Sequence, residues 1–174
     1  MQHNQSNWFY LLMPLLWIGT PALSHAAPAN NQTAGTLYKE ECASCHMAYP
    51  AELLPARSWQ KILNSLDQHF GDNATLDPAT WQTLNQYLQE HSADASDAKR
   101  ARKILRSVPA DSTPLRISEL PTIRRHHREI PARYIAGNPQ VTSLSNCIAC
   151  HQGAEQGAFN EHQVRIPGYG RWDD

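Results

Sequence analysis

The pentapeptides Cys42-Ala43-Ser44-Cys45-His46 and Cys147-Ile148-Ala149-Cys150-His151 decide how this chain folds. Both have the pattern C-x-x-C-H, and together they contain all four cysteines of the 174-residue sequence. In this pattern two thiols add to the vinyl groups of one porphyrin, and the histidine that follows binds its iron. The sequence therefore predicts two covalent haem c groups. The attachment residues are Cys42, Cys45, Cys147 and Cys150, and the adjacent iron ligands are His46 and His151.

Paired cysteines have three other common uses. They can form disulfides in an oxidising compartment, act as a redox dithiol, or bind one zinc ion as two pairs. None of these uses requires a histidine directly after both pairs, and none explains why no cysteine is left over. Haem attachment is therefore the preferred interpretation.

The amino-terminal segment predicts export. Residues 8–18 (WFYLLMPLLWI) form an eleven-residue apolar run, which is too short to span a bilayer. Ser24 and Ala26 follow it as small residues at the usual cleavage spacing. The first seven residues lack Lys and Arg, so an uncleaved anchor is the alternative. We expect a signal peptide over residues 1–26, cleavage near Ala26, a periplasmic location and no membrane span in the mature chain.

Composition and hydrophobic periodicity predict a mostly α-helical chain. A formal net charge of −1 and a hydrophobic content of 41% argue against disorder and against a nucleic-acid partner. We expect two small helical haem-binding lobes, cytochrome c-like, with long irregular loops. The predicted boundaries are a flexible leader over 27–35, a first lobe with a bridging helix over 36–110, and a second lobe over 111–174. Within the first lobe, a helix is expected from Thr36 to His46.

The second coordination position of each iron is either filled by a histidine or open, because methionine is excluded. The chain has three methionines, of which Met1 and Met13 fall in the signal segment. Met47 is adjacent to His46 and cannot reach the opposite face of the porphyrin. The remaining candidates are His69, His91, His126, His127 and His162.

Helical phase separates the candidates in the first lobe. Ser58 resembles an N-cap, and the apolar positions after it share a face that would include His69 near the helix end. Asp77-Pro78 is typical of a helix start, and the inner face of that next helix ends at His91. We therefore expect His69 to be the ligand and His91 to be the reserve candidate.

In the second lobe, His127 is a better candidate than His126 for the second iron ligand. Leu120, Ile123, His127 and Ile130 are spaced to share one helix face, whereas His126 points about 100° away from it. His162 has no apolar neighbours in phase and is expected to be exposed.

Arginines near the predicted ligands have two possible roles. Arg124, Arg125, Arg128 and Arg133 flank His127. They could be solvated, or they could bind haem propionates or a partner. Arg57 is the corresponding candidate for the first haem.

Two bis-histidine haems leave no open coordination position for oxygen or peroxide. This predicts an electron carrier with low reduction potentials rather than an enzyme. A dihaem peroxidase-like enzyme and a haem-based ligand sensor are the alternatives from other classes.

Several stretches resemble the bacterial dihaem cytochrome c family. They are YKEECASCHMAYPAELLPARSW, LDQHFGDNATLD, LRISELP, HREIP and SNCIACHQGAEQGAFNEHQVRIP, between about residues 38 and 168. The resemblance implies a two-lobed helical electron carrier in which His69 and His127 are the distal ligands. It also implies redox partners, namely a monohaem oxygen-binding cytochrome and a membrane b-type cytochrome. One departure is Thr122-Ile123, where the family tends to have aromatic residues.

Overall fold

The computed structural model describes Met1 and residues 31–172, and this part of the chain is mostly helical, as predicted. Apart from Met1, the predicted signal segment lies outside the described residues. The longer helices are α1 (Asn31–Cys42), α2 (Ala56–Leu63), α3 (Pro78–His91), α4 (Lys99–Ser107) and α5 (Pro121–His127). Short 3-10 turns connect them, and β1 (Arg165–Ile166) pairs antiparallel with β2 (Gly170–Arg171).

Helix α1 brings the first cysteine motif to the core. It begins at Asn31 and ends at Cys42, whereas the sequence predicted a helix from Thr36 to His46 after a flexible leader. Ala34 and Tyr38 are buried on its inner face. A Cβ atom at Gly35 would lie 3.4 Å from the Tyr87 ring, which is an ordinary van der Waals distance, so α1 packs on α3 at this position. Residues 31–35, expected in the leader, therefore belong to a helix that contacts the core.

Helix α2 differs from its prediction at both ends. Pro55, not Ser58, precedes its first residue, and Ser58 is fully buried within the helix. The helix ends at Leu63, where the Ser65 hydroxyl donates a hydrogen bond to the Lys61 carbonyl at 2.9 Å. Such side-chain bonds compete with the helical pattern. His69 therefore does not lie on this helix, and the sequence prediction was wrong on that point.

Helix α3 begins as predicted. The Asp77 side chain accepts hydrogen bonds from the Ala79 and Thr80 amides, and Pro78 is the first helical residue. This is a complete N-cap, because two of the otherwise unpaired amides gain an acceptor. Leu84 and Leu88 on the inner face of α3 are buried.

One buried cluster joins both halves of the described chain. It includes Leu54, Leu88 and Ile104 from the predicted first lobe, and Ile117 and Leu120 from the predicted second lobe. Helix α4, predicted over 95–108, spans Lys99–Ser107 and contacts α5. Residues from both sides of position 110 thus share one core, and the division into two lobes at that position stays a prediction.

Residues after α5 are largely irregular. Beyond Pro131 they form 3-10 turns and the β1–β2 hairpin, and the Arg165 amide donates to the Cys150 carbonyl at 3.1 Å. This bond attaches the hairpin to the second cysteine motif. Within residues 31–172, no helix is both long and apolar enough to cross a membrane.

Candidate cofactor sites

Both C-x-x-C-H motifs open into one large cavity. Its volume is about 1040 Å³, slightly above the range of about 300–1,000 Å³ that is usual for ligand pockets. Aliphatic residues such as Leu54, Leu63, Leu84 and Leu88 form much of its wall. The predicted attachment and ligand residues all line it: Cys42, Cys45, Cys147, Cys150, His46, His69, His127 and His151.

The first pair of imidazoles is His46 and His69. Their ring centroids lie 6.1 Å apart and their planes differ by 24°. An imidazole nitrogen bound at about 2 Å from a metal places its ring centroid about 3 Å from that metal. Two imidazoles on opposite sides of one iron therefore have centroids about 6 Å apart, which matches this pair.

His127 and His151 form a second pair with the same spacing. Their centroids are 6.0 Å apart, and their planes differ by 73°. The sequence does not fix which distal histidine serves which haem, although proximity along the chain favours His69 with His46 and His127 with His151. The structure has these two pairs.

Hydrogen bonds leave the second ring nitrogen of two histidines free to bind a metal. The His46 Nδ1 atom lies 2.7 Å from the Met47 carbonyl oxygen, and the His127 Nδ1 atom lies 2.8 Å from the Ile123 carbonyl oxygen. A carbonyl only accepts, so Nδ1 carries the proton and Nε2 keeps its lone pair. Backbone carbonyls of this kind commonly orient metal-binding imidazoles.

Burial favours the neutral form of the other two imidazoles. It lowers the pKa of His69, with a further contribution from His46, and it lowers the pKa of His151, with a further contribution from His127. Only a neutral imidazole can bind a metal through its lone pair. The electrostatic environment of both rings therefore suits axial ligation.

The four cysteines are free thiols in the structure. Burial, with a smaller effect from Glu41, raises the pKa of Cys42 to about 12. Burial also raises the pKa of Cys147 and of Cys150. Since no disulfide joins them, all four sulfur atoms are available for thioether formation beside the two imidazole pairs.

Of the remaining histidines in the described residues, His91 lies outside the cavity, whereas His126 and His162 line it. The His91 Nδ1 atom is 2.8 Å from the Tyr87 carbonyl oxygen, and its ring stacks on Tyr87 at 4.2 Å. His91 is not among the described residues that line the cavity. His126 and His162 are exposed at its rim, and Met47 is buried outside it.

The arginines do not follow the sequence expectations uniformly. Arg57, a candidate for the first haem, instead donates to the Ser112 carbonyl at 2.7 Å and to the Pro109 carbonyl at 3.1 Å. Its guanidinium is thus used by the chain itself, because the linker after α4 presents two carbonyls to it. Arg124, Arg125 and Arg128 are exposed; Arg125 bonds to Thr122 Oγ1 at 3.2 Å, and Arg128 pairs with Glu129 at 3.3 Å.

Sequence reasoning missed a set of groups around the second pair. The Phe159 ring lies 5.4 Å from His151, and the Arg100 guanidinium lies 4.8 Å above that phenyl ring. Arg100 also pairs with Glu52 at 3.3 Å, so α4 is held to the turn after the first motif. The strongly amphipathic sequence of α4 was the available signal, but it does not identify these partners.

These residues fit two haem c groups. Each set has two free cysteines, a histidine directly after them and a second imidazole at the distance that a shared iron requires. The arrangement defines a c-type cytochrome with two attachment sites.

Comparisons with known proteins agree. Residues 38–159 match the sequence profile of the family described as dihaem cytochrome c. A dihaem cytochrome c structure from Shewanella baltica shares 43% identity and covers 80% of this chain and 98% of its own, with a TM-score of 0.67. One from Rhodobacter sphaeroides shares 48% identity and covers 71% and 95%, with a TM-score of 0.64. No curated protein sequence gives a significant match. The chain belongs to the dihaem cytochrome c family and carries two covalent haem c groups.

Proposed function

We propose that this protein is a periplasmic electron carrier whose two haem irons each bind two histidines. The observation that carries the proposal is the pair of imidazole–imidazole spacings, 6.1 Å for His46 with His69 and 6.0 Å for His127 with His151. Haem supplies reversible one-electron chemistry when it is bound. The protein has to hold the iron's geometry constant and keep other ligands away from it.

The residues around each pair suit that task. The Met47 and Ile123 carbonyls fix the rings of His46 and His127, so these imidazoles have little freedom to rotate. The aliphatic wall of the cavity lowers the local dielectric constant and limits the access of water. Two imidazoles without a methionine sulfur favour low reduction potentials for both haems.

Location and partners extend the proposal. The apolar run over residues 8–18 and the small residues Ser24 and Ala26 support export to the periplasm with cleavage near Ala26. The family resemblance supports a monohaem oxygen-binding cytochrome and a membrane b-type cytochrome as partners. Recovery of the mature chain from the periplasmic fraction, with Ala27 as its first residue, tests the location.

Spectroscopy of ligand variants tests the ligation. We expect both ferric haems of the wild type to be low-spin. His69→Gly and His127→Gly should each make one of the two haems high-spin, because each removes one axial nitrogen. The matched controls are His91→Gly and His126→Gly, which should leave both spectra unchanged. Electron paramagnetic resonance and visible absorption measure the result.

Two outcomes would contradict the proposal. A high-spin ferric component in the wild type, or rapid carbon monoxide binding after reduction, indicates an open position. Either result would favour a peroxidase-like enzyme or a ligand sensor. A high-spin signal in His126→Gly but not in His127→Gly would refute the assigned second ligand.

A further inference from the structure

Tyr49 lies between the two sets of haem-binding residues. It follows the first motif by three residues, and its ring centroid is 5.0 Å from that of His46, with the planes 31° apart. Its hydroxyl donates a hydrogen bond of 2.7 Å to the carbonyl of Ser145, 96 residues further along the chain. Ser145 lies two residues before Cys147, the first attachment residue of the second motif.

The main chain at Tyr49 is also anchored to the core. The hydroxyl of Tyr38, a residue of α1 that is only 4% exposed, donates to the Tyr49 carbonyl at 2.6 Å. Tyr38 in turn contacts Trp59 with an edge-on geometry at 6.4 Å. The Tyr49 side chain therefore extends from a fixed backbone position.

The Tyr49 hydroxyl is the donor in its bond to Ser145, because a carbonyl oxygen can only accept. The Ser145 turn has its own support, because its amide donates to Ser143 Oγ at 3.1 Å.

We propose that Tyr49 is a positioning residue that holds the two haem sites at a fixed separation and so sets the rate of electron exchange between them. The inference rests on the proposed electron-transfer function. Its ring packs on a ligand of one iron, and its hydroxyl binds the turn that carries the attachment site of the other. A single side chain thus joins the two sites directly.

Two variants separate the parts of this role. Tyr49→Phe keeps the ring and removes only the hydrogen bond, whereas Tyr49→Leu removes both contacts. Tyr169→Phe is the control, because Tyr169 is exposed, is not among the residues that line the cavity, and contacts Tyr134 and Trp172. The measurements use the intact holoprotein. Pulsed electron paramagnetic resonance gives the iron–iron distance distribution, and line broadening in nuclear magnetic resonance of half-reduced protein gives the exchange rate.

In Tyr49→Phe, the fraction of molecules in which the two haem sites have moved apart should rise about two- to tenfold. Losing one hydrogen bond changes an equilibrium constant by about that factor. The distance distribution should broaden and the exchange rate should fall severalfold, with a larger effect in Tyr49→Leu. Both haems should stay low-spin, since no ligand is removed, and Tyr169→Phe should match the wild type.

An unchanged distance distribution and exchange rate in both Tyr49 variants would overturn the proposal. A lower melting temperature without either change would also overturn it, because that is the result of a purely structural bond. Failure of the proposed function is a separate result, since a high-spin wild-type spectrum shows it before any Tyr49 variant is measured.

Discussion

A substitution at Arg57 tests which groups its guanidinium binds, because the sequence and the structure assign this residue different roles. The sequence made it a candidate partner for a propionate of the first haem. In the structure its Nε and Nη2 atoms bind the Ser112 and Pro109 carbonyls, 55 and 52 residues away. Arg57→Gln removes the charge and shortens the side chain, so both bonds to this linker are lost.

The expected loss of stability follows from the two hydrogen bonds. A hydrogen bond with a charged donor contributes about 1.5–3 kcal/mol, but the bond to Pro109 is exposed and is weakened by solvent. The pair therefore stabilises the fold by about 2 kcal/mol. For a chain of this size that corresponds to a decrease of about 4–8 °C in melting temperature. If Arg57 instead bound a propionate about 10 Å from the iron, removing its charge would shift the reduction potential of that haem by about 70 mV.

Thermal unfolding and a redox titration of the same samples separate the two roles. We expect Arg57→Gln to melt earlier while both potentials stay near those of the wild type. Arg106→Gln, an exposed substitution on α4, is the matched control and should change neither quantity. A shift near 70 mV in one haem with an unchanged melting temperature would refute the linker assignment.

Two further predictions concern folding. Cys42→Ala combined with Cys147→Ala should remove most of the helical circular dichroism, because the cavity walls lose the covalently held groups that they pack against; native helicity would contradict this. Ile104→Ala should lower the free energy of unfolding by about 2–5 kcal/mol in a denaturant titration, since the side chain is fully buried in α4. An effect no larger than that of Arg106→Ala would show that the packing at Ile104 is unimportant.

The features that sequence predicts well are local ones. The start of α3 follows from Asp77-Pro78, because a capping carboxylate and a proline at the first position act within one helical turn. The location of His127 in the cavity wall follows from the phase of a short helix that carries Ile123 and His127 on one face. The C-x-x-C-H motifs specify their chemistry directly.

Other features depend on contacts that are distant in sequence. The approach of His69 to His46 occurs after a 3-10 turn, because α2 ends at Leu63, and a continuous helical period could not reproduce that path. The bond from Tyr49 to Ser145 spans 96 residues, and no local pattern identifies the partner. Arg57 is a similar case, since only the folded chain brings the linker carbonyls to it.

The single cavity has a consequence for biosynthesis. Its walls come from both ends of the described chain, with Cys42 and Cys147 lining the same space. A chain closed around one porphyrin would leave less room at the thiols of the other motif. We therefore expect both attachments to be made before the chain becomes compact.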